Sequence, residues 1–245
     1  MAEFDRPTIA AARAGTAAAI DEGLRSYMLK VYNYMGIGLV VTGLVSYFSA
    51  QAAVADGQLT AWGALIFQSP LMWVIAFAPL AFVLVLSFGI NKLSSGTAQI
   101  LFWVFSAVMG LSLSSIFMVY TDASIAKVFF ISAATFGAMS LYGYTTKRDL
   151  TGVGNFLIMG LIGLIIASIV NIFLASSMLD FAISAIGVLI FVGLTAYDTQ
   201  KVKESYDEGL GAEVLQKSAV MGALNLYLDF INLFLMLLRL FGNRE

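Results

Sequence analysis

The chain has 245 residues, of which 60% are hydrophobic and 11% charged, with a net charge of −2 and neither cysteine nor histidine. Soluble domains carry about 25% charged residues, so this is the composition of a polytopic membrane protein, with no field that would attract nucleic acid. Without cysteine and histidine, disulfides, thiol catalysis, Ser-His triads and zinc sites built on those ligands are excluded, and any pH response near neutrality falls to carboxylates.

Residues 1–24 are expected to form an N-terminal cytoplasmic tail, and residues 25–242 one transmembrane domain. The stretch TAAAIDEGLRSYMLKVY is compatible with an amphipathic surface helix, a helical extension of the first span or a disordered tail. The first apolar run begins near Val31, after several charged residues, which predicts an uncleaved anchor. A helical span needs about 20 mostly apolar residues. Seven stretches qualify, near residues 29–50, 71–91, 97–120, 125–145, 154–175, 181–200 and 218–241. The breaks are QAAVADGQLTAWG with Pro70, then NKLSSG, YTDAS, TTKRDLTGVG, SSMLD and the charged KVKESYDEGLGAE. The expected fold is therefore an all-α membrane protein, a seven-helix bundle without a soluble domain.

With the N-terminus inside, ten Lys and Arg residues fall in inner segments, and three, Lys127, Arg239 and Arg244, fall in outer ones. This predicts a cytoplasmic N-terminus and an outer C-terminus, with Arg239 and Arg244 snorkelling to the far interface.

The last span carries a polar stripe. Asn225, Asp229 and Asn232 stand at i, i+4 and i+7 and share one face, while the opposite face is Leu, Phe and Ile. An ionised, unpaired acid at this depth costs about 2.5–3.5 kcal/mol or more, so the stripe must face protein or water and the last helix must be central. The sixth span ends GLTAYDTQ, placing Thr195 and Asp198 on one face near its inner end. Asp198 is read equally as a wetted helix-terminal acid or as a partner for Asp229. Two such acids on consecutive antiparallel helices that meet would share a proton and titrate as a unit. Lys92, in the turn between the second and third spans, reads as an inner surface lysine.

TAYDTQKVK at 195–203, followed by LNLYLDFINLFLMLLRLFG at 224–242, resembles the Bax inhibitor-1 family in a bacterial member, a likeness that covers roughly residues 25–242. The resemblance implies seven helices with the last surrounded by the other six. It also implies a pH-sensitive calcium leak of the inner membrane gated by two hydrogen-bonded aspartates, here Asp198 and Asp229, which would also hold calcium transiently. Thr195, Asn225 and Asn232 would support them. In the family an arginine at the inner end of the second span pairs with the sixth-span acid, and the nearest candidate here is Lys92. Bacterial relatives are linked to a membrane protease machinery, which keeps a partner or modulator role as the alternative.

An enzyme is not expected. An intramembrane aspartyl protease needs Gly-x-Gly-Asp at its second acid, where this chain has Leu-Tyr-Leu-Asp, and a retinal pump needs a lysine where Asp229 stands. No cofactor is expected beyond calcium as the permeant ion. The expected partners are the lipid bilayer, calcium, protons and a possible membrane protease complex.

Overall fold

The polar breaks in the sequence become helix caps. Side-chain oxygens of Thr60, Ser94, Thr121 and Ser176 each accept the backbone N–H three residues on, which satisfies a donor that the first helical turn leaves free. A computed structural model describes residues 6–244, with side chains from residue 22 onward. The expected tail at 1–24 therefore lies largely outside the described side chains.

The elements in chain order are α1 (Arg6–Ala53), β1 (Val54–Ala55), β2 (Gln58–Leu59), α2 (Ala61–Phe67), α3 (Leu71–Gly89), α4 (Ser95–Leu113), α5 (Asp122–Thr145), α6 (Thr151–Leu174), α7 (Ser177–Glu204) and α8 (Ala212–Phe241). A short 3-10 segment, Ser114–Met118, follows α4. Among the described residues seven helices are long and apolar enough to cross a membrane: the Glu22–Ala53 part of α1, then α3 through α8. The chain is an all-α membrane protein built as a seven-helix bundle.

Two expectations need correction. The stretch QAAVADGQLTAWG is more than a loop, because Val54–Ala55 and Gln58–Leu59 pair as an antiparallel hairpin and Ala61–Phe67 forms a short helix. Asp56 (φ 52°) and Gly57 (φ 73°) both adopt the left-handed region, as a two-residue hairpin turn requires. The helices also outlast their apolar runs. Helix α7 continues to Glu204, and α8 starts at Ala212, where Glu213 and Lys217 pair at 3.3 Å across one turn.

Helix α8 is the centre of the bundle. Its apolar window is 67% buried, against 6% for α6 and 11% for α3. It packs on α1, α4, α5 and α7, whereas α6 leans on α7 and α3 mainly on α4. Around it Phe105 and Phe102 meet the Tyr227 ring edge-on at 5.2 and 6.1 Å, and Phe129 and Phe136 meet Phe230 at 5.5 and 5.7 Å.

The C-terminal end of α8 is fastened. Asn243 accepts from Thr121 N (3.1 Å) and donates to Ser124 Oγ (3.0 Å), and the Arg244 guanidinium lies 5.8 Å from the Tyr120 ring centroid. Arg239 reaches Asp180 at 3.9 Å. The two arginines that run against the charge asymmetry thus have an acid and an aromatic ring as partners.

Candidate functional site

Helices α7 and α8 run antiparallel with a register set by Val202 against Gly222 and Met236 against Gly187. That register brings Asp198 opposite the Asn225–Asp229 turn of α8. The register turns both carboxyls toward one site between the helices. Asp229 is 5% exposed, and its Oδ2 is buried without a hydrogen-bond partner among the described residues, while Asp198 is half-buried. Both line a cavity of about 630 Å³ whose polar patch is completed by Asn225, Asn232 and Ser168. Its walls are apolar side chains of α3 and α6, among them Leu80, Val83 and Ile165.

The position of Asp198 follows from how closely α7 is held. Gly143 of α5 lies against the Ala196 backbone, and Gly154 of α6 lies against the Tyr197 ring. A β-carbon at either site would occupy the space that α7 fills, so glycine sets the helix separation. One turn on, the buried Gln200 clamps the α5–α6 turn, accepting from Leu150 N and donating to Arg148 O, each at 2.8 Å. Lys203 donates to Tyr144 O at 2.8 Å. Thr199 donates to Thr195 O (2.7 Å) and so accepts from Ser140 Oγ (3.0 Å), which ties α5 to the same turn.

The structure separates the sequence candidates into two groups. Asp198, Asp229, Asn225 and Asn232 share the cavity, with Asn232 Nδ2 donating to Leu228 O at 2.8 Å in its own helix. Thr195 and Lys92 are not brought to it. Thr195 is fully buried and donates to Phe191 O at 2.7 Å. Lys92 is exposed in the α3–α4 turn and makes no ion pair among the described residues, because α3 sits against α4 and away from α7. The cation nearest to Asp198 along α7 is Lys201, one turn on. Its i+3 position on the same helix was the available signal, one that a count of charges by loop does not weigh. The role of Tyr227 was also missed. Its hydroxyl meets Thr42 at 2.6 Å in the bundle centre, two residues from Asp229.

The family model described as "Inhibitor of apoptosis-promoting Bax1" matches residues 24–245. Inner membrane protein YbhL of Escherichia coli K12 is 52% identical over 226 residues, covering 91% of this chain and 94% of that protein. An uncharacterized protein of Rickettsia prowazekii is 53% identical over 225 residues, 92% of each chain. An uncharacterized membrane protein of Streptococcus pyogenes serotype M1 is 37% identical over 225 residues, 92% of this chain and 96% of that one. With the family model spanning nearly the whole bundle, including both aspartate motifs, the chain belongs to the Bax inhibitor-1 family.

Proposed function

We propose that the chain is a pH-sensitive calcium leak of the bacterial inner membrane, with its N-terminus in the cytoplasm and the Asp198–Asp229 pair as its gate. The observation that carries this reading is that Asp198 and the buried, unpartnered Asp229 line one cavity between α7 and α8. An ionised carboxylate only accepts hydrogen bonds, so a bond between two carboxyl groups requires a proton on one of them. With that proton in place the pair links α7 to α8. Once the proton leaves, like charges face each other, the helices part toward the lysine-rich end, and the same two charges attract a divalent cation. Two carboxylates with the Asn225 and Asn232 amides supply few of the six to eight oxygens that calcium prefers, which suits an ion in passage better than a resident one.

Flux from purified protein in calcium-loaded liposomes, measured over a pH series, tests this directly. Wild type should leak with a clear pH dependence, and Asp198→Asn and Asp229→Asn should each flatten it. A wild type that carries no flux would sink the leak and favour the alternative, a modulator of a membrane protease complex. Variants that keep the wild-type pH curve would make the acids packing residues.

A further inference from the structure

A second cavity, of about 620 Å³, opens on the lipid-facing side between α1 and α5 and shares no lining residue with the aspartate site. Its walls are Met28, Leu29, Phe136, Gly137 and Leu141, and Arg25 and Tyr144 stand at one mouth. The groove is a gap in the packing. Helices α1 and α5 meet through the Tyr32–Ser140 hydrogen bond (2.6 Å) instead of closely packed backbones, and a β-carbon at Gly137 would touch nothing. Leu29 and Leu141, 53% and 63% exposed, present its rims to the bilayer.

The chemistry along the groove is ordered. Its polar floor is already satisfied: Thr199 donates to Thr195 O, Ser140 therefore donates to Thr199, and Tyr32 to Ser140. None of these three floor hydroxyls keeps a proton for a ligand, so the groove body below Tyr144 offers a chain only apolar contact. Arg25 lies at the mouth, at the end of the bundle where Lys30, Lys147, Arg148, Lys201, Lys203 and Lys217 also gather. A guanidinium there sits at the depth of lipid headgroups and matches a phosphate in two-pronged fashion. We propose that the groove between α1 and α5 binds one anionic phospholipid of the surrounding leaflet, its phosphate against Arg25 and an acyl chain along Phe136, Gly137 and Leu141. The site is independent of the calcium-leak reading.

Native mass spectrometry of the full chain, released from detergent after equilibration with equal phosphatidylglycerol and phosphatidylcholine of matched chains, reads this out. Wild type should retain one phosphatidylglycerol with about fivefold preference, the scale of one basic side chain at a headgroup. Arg25→Gln, a change at an exposed residue, should bring the preference near parity. Gly137→Leu, which fills open space, should lower retention of both lipids while size-exclusion behaviour is unchanged. Lys147→Gln, at the same end but off the groove, should keep the wild-type preference. Equal retention of both lipids by wild type would mean annular lipid only and overturn the proposal. So would a loss of preference in Lys147→Gln as large as in Arg25→Gln, or a second copy of the chain found covering the groove.

Discussion

Tyr227 donates its hydroxyl proton to Thr42 Oγ1 at 2.6 Å, since Thr42 directs its own to the Ser106 carbonyl at 2.8 Å. Both side chains are buried, so α8, α1 and α4 are joined at mid-bundle by one hydroxyl relay. The direction of the relay makes the two ends unequal. Tyr227→Phe leaves the Thr42–Ser106 bond in place and should cost about 0.6 kcal/mol, the average for such bonds within membranes. Thr42→Val strands the Tyr227 donor in a dry site and should cost about 1–3 kcal/mol. Unfolding in graded SDS measures both, and the reverse ranking would mean that the relay runs the other way.

For the aspartate pair the expectation concerns coupling. Two acids that share a proton titrate together, so their pH midpoint belongs to the pair. Asp198→Asn with Asp229→Asn in one chain should therefore flatten the flux profile no further than either change alone. Additive effects of the two substitutions would indicate separate sites.

The Gly143 contact predicts a sharp contrast within one helix. Gly143→Ala pushes a methyl against the Ala196 backbone and should destabilise by about 1–3 kcal/mol, while Gly137→Ala enters open space and should be near neutral. Because residue 196 lies two positions from Asp198, Gly143→Ala should also move the pH midpoint of flux, and Gly137→Ala should leave it. Equal stability of the two variants would contradict the close approach.

Outside the spans, Thr151 N donates to Asp149 Oδ1 at 2.8 Å ahead of α6, and hydrogen bonds from Thr151 hold this carboxyl below its usual range. A depressed folded-state value means that the stabilisation is fully present above the unfolded pKa of about 3.9 and is lost as pH falls through the folded one. Asp149→Asn keeps an acceptor without the titration. Thermal unfolding of the two proteins should differ by a constant amount above about pH 5, with the gap closing only in stronger acid. A gap that widens on acidification would reverse the sign.

The sequence carried the bundle and the acid on α8, because both depend on short-range spacing. Apolar runs of span length, and Asn225, Asp229 and Asn232 on one face, need no knowledge of neighbours. What it hid depends on which helices touch. Lys92 and Lys201 are equally cationic and fall on the same side by charge counting, and only the lean of α3 onto α4 separates them. Thr195 shares a helical face with Asp198 in projection, yet its hydroxyl turns back to Phe191 O. Tyr227 reads as one more large residue in a hydrophobic helix until Thr42, 185 positions earlier, arrives beside it. The hairpin was legible in the Asp56–Gly57 pair, whose turn preference is local.

Helix α8 follows in the chain every span that it packs on. This order bears on biogenesis. While the earlier spans leave the translocon, their inward faces have no common surface to close on, and Thr42 lacks the Tyr227 hydroxyl that later donates to it. The membrane must therefore hold a set of inserted but unassembled helices until the span that carries Asn225, Asp229 and Asn232 joins them. That span has the most to gain from entering protein instead of lipid, so insertion of α8 and assembly of the bundle become one event.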